Sequence, residues 1–133
     1  MEENLIVEIT SELDIVRCRK AVRDMALELG FGVADQTRLV TVASELARNV
    51  VQYAGEGKMF LAKIDDGTTK GIRMEFKDHG PGFVFDEAMS FGYSTNKGLG
   101  VGLPGSRRLM DELEVESKKG KGATVTAAKY LKS

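Results

Sequence analysis

Glu45 and Asn49 stand four residues apart in Glu45-Leu46-Ala47-Arg48-Asn49. On a helix, that spacing stacks two side chains on one face, one turn apart. A carboxylate and a neutral amide oxygen so placed suit an anionic ligand accompanied by a divalent cation. Asn49 would offer an oxygen to Mg²⁺ and Glu45 a base. Arg38, Thr41 and Gln52 share the face. Read by itself, the same pattern also describes a solvated helix face on which Glu45 pairs with Arg48.

Three further segments follow in order. Asp78-His79-Gly80-Pro81-Gly82 comes just after an expected strand. Asp, Gly and Pro are turn formers, but a carboxylate at a strand end can also accept a hydrogen bond from the exocyclic amine of adenine. Glycines there would let backbone approach a flat ring. Next, Ser94-Thr95-Asn96-Lys97-Gly98-Leu99-Gly100-Val101-Gly102 alternates three glycines ahead of an expected helix start. Backbone N–H groups in such a loop, together with a helix N-terminus, form an anion site suited to phosphates, and Lys97 adds a cation. The loop matches neither the P-loop spacing, which ends in Gly-Lys-Ser/Thr, nor a Rossmann fingerprint directly following a strand. Finally, Gly120-Lys121-Gly122-Ala123-Thr124 reads as a hairpin turn entering the last strand.

The elements that must carry these residues are legible from periodicity. Leu5 to Thr10 is short and β-prone. Ser11 with Asp14 marks a helix start, and Ile15, Cys18, Val22, Met25 and Leu29 follow at helical spacing until Gly30 and Gly32. A second helix is expected from Asp35 to Tyr53, with Leu39, Val42, Leu46, Val50 and Tyr53 as its apolar face. Lys58 to Ile64 and Ile72 to Phe76 read as a hairpin about Asp65-Asp66-Gly67. A short helix, Leu103 to Met110, has Pro104 in its first turn, where proline is tolerated. Strands at Leu113 to Ser117 and Ala123 to Leu131 complete the order β-α-α-β-β-α-β-β. That order predicts one α/β domain over residues 1–133, a two-layer sandwich with helices covering one face of a mixed sheet.

Composition narrows the function. A net charge of -1, with Lys and Arg spread along the chain, leaves no electrostatic footprint for nucleic acid or an anionic membrane. The single cysteine, Cys18, excludes an internal disulfide and reads as a small buried hydrophobe. No Cys/His metal cluster is present. The acidic start, Met1-Glu2-Glu3-Asn4, resembles neither a signal nor a transit peptide, and no apolar run approaches a membrane span, so a cytoplasmic location is expected.

The four segments, in this order, resemble the GHKL superfamily of ATPases and kinases: an N box, an Asp-x-Gly-x-Gly box, a glycine-rich lid and a Gly-x-Gly turn in the closing strands. Glu28-Leu29-Gly30-Phe31-Gly32, Ser44 to Asn49, Gly92-Tyr93-Ser94-Thr95, and Gly98 to Gly105 with Arg108 to Glu112 further resemble the small bacterial anti-sigma-factor-type serine/threonine kinases, including the switch kinases of the stressosome.

This resemblance implies a Bergerat-type ATP-binding fold, ATP and Mg²⁺ as ligands, and roles residue by residue. Asp78 would accept from adenine, with Gly80 and Gly82 beside the ring. Asn49 would hold Mg²⁺ against the phosphates, and Glu45 would orient and deprotonate the attacking hydroxyl. Lys97 and the backbone of Gly98, Leu99, Gly100, Val101 and Gly102 would close over the phosphates.

The implied substrate is a Ser or Thr on a STAS-domain scaffold or antagonist protein. The implied output is binding to a downstream regulator such as a PP2C-type phosphatase. Two alternatives stay open: an anti-sigma factor that sequesters a sigma factor and phosphorylates its antagonist, and a nucleotide-gated binding module without turnover. One position departs from the pattern. Where the family's closing turn carries Thr or Ser, this chain has Ala123, and Thr124 points to the opposite face of a strand. His79 lies inside the adenine motif and not on a dimerisation helix pair, so it reads as a loop residue beside the ligand. Arg107 and Arg108 read as solvated helix positions, and Met74, Met89 and Met110 as core filler.

Overall fold

A computed structural model describes residues 4–80, 102–117 and 122–131. Its elements run β1 (Asn4–Ile9), α1 (Glu12–Leu29), α2 (Val33–Tyr53), β2 (Gly57–Asp65), β3 (Lys70–Asp78), α3 (Gly102–Leu109), β4 (Glu112–Ser117) and β5 (Ala123–Tyr130). The expected order is borne out, and so is the two-layer sandwich. The sheet differs from expectation. Its five strands run β1-β2-β3-β5-β4, and all four described pairings are antiparallel. The connection through α3 does leave β3 and β4 pointing the same way, as a mixed sheet requires. The β4–β5 hairpin, however, folds back so that β5 inserts between them, and every neighbour becomes antiparallel.

α1 and α2 form a helical hairpin over one sheet face. Ile15, Cys18, Val22 and Ala26 of α1 and Leu39, Val42, Leu46 and Val50 of α2 pack on Met59, Leu61, Ile72, Met74, Phe76 and Ala127. Each such side chain, fully buried, contributes about 1.5–3 kcal/mol if aliphatic or aromatic and large. The strand residues that face the helices alternate with those on the open face, so the register sets which side chains can reach α2. On β3 the covered set is Ile72, Met74, Phe76 and then Asp78.

Two boundaries moved in ways that matter for the site. α2 starts at Val33, two residues before the expected Asp35, because Gly32 in extended conformation already serves as N-cap and its carbonyl accepts from the Gln36 N–H at 2.9 Å. Val33 is 79% exposed and so left no apolar signal. β3 continues to Asp78, which pairs with Gly57 and Ala123. Asp78 is therefore the last residue of a central strand and not the first of a loop.

The turn from α1 to α2 uses Gly30 at φ +95°, whose N–H, with that of Phe31, satisfies the Ala26 carbonyl. At the other end of α1, Ser11 occupies the N-cap position without a side-chain cap. Asp14 reaches back instead, and its Oδ2 accepts from the Thr10 N–H at 2.8 Å and the Thr10 hydroxyl at 3.0 Å. The Thr10 N–H above all, then that hydroxyl and nearby Arg17, holds the Asp14 carboxyl below its ordinary value near 3.8, against the opposing effect of burial. A depressed carboxylate adds stability that is present above the unfolded pKa and is lost as the pH falls through the folded one. Asp14→Asn is expected to flatten the fall in Tm between neutral pH and pH values below about 4, measured by thermal unfolding across that range.

Candidate functional site

α2 carries Glu45 and Asn49 on the flank of its buried stripe. Glu45 is 2% exposed, and its Oε1 stands 3.9 Å from Nη1 of Arg48. The ion pair of the simpler sequence reading is thus present, but the carboxylate is in the interior and not on a solvated face. A carboxylate taken out of water needs such a counter-charge. One turn on, the Oδ1 of Asn49 is buried and has no hydrogen-bond partner among the described residues. Buried polar atoms are nearly always partnered, so this orphan, like the buried Oγ of Ser106, calls for a partner such as a water, an ion or a ligand.

Asp78 meets this flank from the sheet. Asn49, Tyr53 and Asp78 line one cleft with the apolar side chains of Val50, Phe76, Ala123 and Val125. The Oδ1 of Asp78 accepts from the Gly80 N–H at 2.9 Å. The turn reading of this motif is therefore realised as well, and that bond fixes the carboxylate. Its second oxygen accepts from no described residue. The arrangement is a half-buried carboxylate acceptor among apolar walls, with a neutral amide oxygen beside it. That chemistry suits a flat, amine-bearing ring. Glu45 is not among the residues lining this cleft and lies one turn of α2 away.

The glycines serve the framework. A Cβ on Gly80 would lie 2.5 Å from that of Ala54, so Gly80 allows the Asp78 loop to press on the C-terminus of α2. Gly122 has φ +90°, and a Cβ there would collide with the Asp78 carbonyl. Gly82, Lys97, Gly98, Leu99, Gly100 and Val101 lie outside the described residues, as do Met89, Gly120 and Lys121. Gly102 opens α3.

The structure adds residues that the sequence reading had set aside. Gly122 and Ala123 abut Asp78 directly, so these two residues border the site; by itself the segment read as a hairpin turn, and only the family resemblance gave it a further meaning. Val50 and Tyr53 read only as an apolar stripe. Ala123 lines the cleft, whereas Thr124, opposite Lys77, has the alternate strand parity and does not line it. The departure at Ala123 therefore places a methyl group where the family pattern has a hydroxyl. His79 is exposed and is not among the residues lining the cleft. Cys18 is fully buried, and that burial, with Asp14 nearby, pushes its thiol up to about 12, which makes it inert as a nucleophile.

Among the described residues, no group of three or more His, Cys, Asp or Glu side chains could cage a metal. Mg²⁺ seldom uses such a cage and is commonly held by one or two side chains with substrate phosphates and water. The unpartnered Oδ1 of Asn49 fits that mode.

Residues 34–132 match the family described as Histidine kinase-, DNA gyrase B-, and HSP90-like ATPase. The chain belongs to this ATPase family. Within it, the chain is 44% identical to the serine/threonine-protein kinase RsbT of Bacillus subtilis, across 99% of this chain and 100% of that protein. The expected enzyme class, a protein serine/threonine kinase of the GHKL type, is borne out by that likeness. The chain is also 30% identical to an anti-sigma F factor of Thermoanaerobacter sp. (strain X514), across 86% of this chain and 84% of that one. The crystal structure of the RsbU and RsbW domains of a Mycobacterium tuberculosis protein superposes with a TM-score of 0.68 at 16% identity, over 100% of this chain and 34% of that one, and shares the fold. No described helix is long and apolar enough to cross a membrane.

The contact between the closing turn of this ATPase domain and Asp78 is testable. Gly122→Ala combines a positive φ with a clash against the Asp78 backbone and is expected to cost about 1–3 kcal/mol. Urea denaturation should show a lower midpoint at unchanged m-value.

Proposed function

We propose that the chain is a cytoplasmic Mg²⁺-dependent kinase that transfers the γ-phosphoryl group of ATP to a Ser or Thr of a STAS-domain protein. The observation that carries this reading is the convergence of Asp78 and the unpartnered Asn49 oxygen in one cleft, with buried Glu45 one helical turn beyond. Asp78 accepts from the adenine amine, and the close packing of Gly80 keeps its carboxylate aimed. Gly82 lies beside the ring. Asn49 is the side chain that holds Mg²⁺, which when bound neutralises phosphate charge. Lys97 and the backbone of Gly98, Leu99, Gly100, Val101 and Gly102 supply the remaining phosphate contacts.

Glu45 acts on the other substrate. Its carboxylate orients the attacking hydroxyl and takes its proton as the new O–P bond forms and the bond from the γ-phosphorus to the β–γ bridging oxygen breaks. ADP leaves with that electron pair. Phosphoryl transfer is chiefly positioning and charge neutralisation, so one base, one cation and a phosphate loop are sufficient. Likeness to RsbT supports a STAS-domain scaffold or antagonist as the substrate, and binding to a downstream regulator such as a PP2C-type phosphatase as the output.

The anti-sigma likeness supports a second reading, in which the chain sequesters a sigma factor and phosphorylates its antagonist. Direct retention of a sigma factor on the immobilised protein would favour it. A binding module without turnover would have no use for a carboxylate buried as Glu45 is.

Glu45→Ala is expected to lower the rate of transfer from labelled ATP to a STAS-domain protein by roughly 10²–10⁴-fold while largely sparing nucleotide affinity. Undiminished transfer would remove Glu45 as the base. Asp78→Asn leaves a mismatched donor facing the adenine amine and is expected to weaken ATP binding by about 1–3 kcal/mol, a loss of roughly 5- to 150-fold. Calorimetry showing equal affinity would take Asp78 out of the site.

A further inference from the structure

Glu45 and Arg48 are an ion pair of unequal members. The Glu45 side chain is 2% exposed, whereas that of Arg48, three residues on, is 31% exposed. Their nearest atoms, Oε1 and Nη1, stand 3.9 Å apart, which is ion-pair distance but beyond the reach of a hydrogen bond. Arg48 makes no other ion pair and no hydrogen bond with a described residue. The other cation on this face of α2, Arg38, is committed to Asp35 at 2.7 Å. Neither Glu45 nor Arg48 lines the cleft shared by Asn49 and Asp78. A guanidinium that serves only to bind a carboxylate commonly does so through two parallel N–H···O bonds. Arg48 instead offers Glu45 its charge without a hydrogen bond.

We infer that Arg48 is a positioning residue for phosphoryl transfer, which holds the Glu45 carboxylate as an anion in the interior without itself using a hydrogen-bond position on it. A base must be ionised before it can take a proton, and an ionised carboxylate away from water needs a cation near it. A hydrogen-bonded fork would supply that cation too, but it would hold the anion tightly and oppose its protonation. Charge from 3.9 Å is the looser hold. Coulomb attraction falls off slowly with distance, whereas a hydrogen bond is lost within a few tenths of an ångström.

The inference rests on the proposed role of Glu45 as base and adds the residue that prepares it. In the transfer step, the proton of the acceptor hydroxyl passes to Glu45 as the new O–P bond forms. The bond from the γ-phosphorus to the bridging oxygen breaks, and ADP takes that electron pair. Arg48 stays protonated throughout. It acts through Glu45 and touches neither ATP nor the acceptor.

Steady-state transfer of label from ATP to a STAS-domain protein, with calorimetry of ATP binding, tests this role on the full chain. Arg48→Met is expected to lower kcat by roughly tenfold or more. Its KM for ATP and its ATP affinity should change by less than about threefold, because Arg48 stands off the cleft. Arg48→Lys should restore most of the rate, since a point charge suffices where no fork is made. In a Glu45→Ala background, Arg48→Met should cause no further loss beyond about twofold. That double variant leaves no interior charge without its partner, so it keeps the test open even where Arg48→Met alone folds poorly. Circular dichroism and Tm report folding for each variant. An unchanged kcat in Arg48→Met overturns the inference, as does an inactive Arg48→Lys. So does a loss that recurs in full beside Glu45→Ala, or one that appears as weaker ATP binding, which marks a phosphate contact. Full transfer by Glu45→Ala would instead remove the base itself, and with it the reading on which the role of Arg48 rests.

Discussion

Everything at the candidate site depends on how closely the C-terminal turns of α2 approach the ends of β2 and β3. Gly57 has no side chain because the Lys77 carbonyl, Val50 and Asp78 occupy that space, and Gly80 has none because Ala54 does. A Cβ at either position would have to displace these neighbours, which border the cleft shared by Asn49 and Asp78. Apolar burial of Leu39, Val42, Leu46 and Val50 drives the helix onto the sheet, but that force is non-directional. The two glycines turn a general attraction into a defined distance.

Within that frame, polar groups are handled unequally. Asp14 and Asp66 are met by nearby N–H groups and hydroxyls, which stabilise their ionised forms. Lys129, though buried, is held near the Asp35 carboxylate and donates to the Leu109 carbonyl, tying β5 to the start of α2 and the end of α3. Asn49 is treated differently. Its buried oxygen, like the Oγ of Ser106, has no partner among the described residues, at a cost in stability. The proposed role of Asn49 in holding Mg²⁺ would give that cost a reason.

Strand register decides which side chains reach the helices. Strand parity sends Asp78, Ala123 and Val125 toward α2 and sends Lys58, Phe60 and Lys77 away from it. A one-residue slip in the β2–β3 register would exchange the two sets.

Much of this was written in the chain order. The periodicity of Ile15, Cys18 and Val22, and of Leu39, Val42, Leu46 and Val50, determined the two long helices, because a 3.6-residue repeat has one geometric reading. The ordered series of Glu45, Asn49, Asp78 and the glycine segments determined the family, since their conjunction is specific where each part is weak. Other features were decided only in three dimensions. β5 inserts between β3 and β4, a pairing between residues far apart in the chain that no local pattern encodes. Whether Glu45 is solvated or buried depended on what covers α2. Asp78, first read as the opening of a turn, became the end of a central strand because both neighbouring strands extend to meet it. The same motif still makes its turn, through the bond from Gly80. Sequence identified the carboxylate, and tertiary packing decided what it faces.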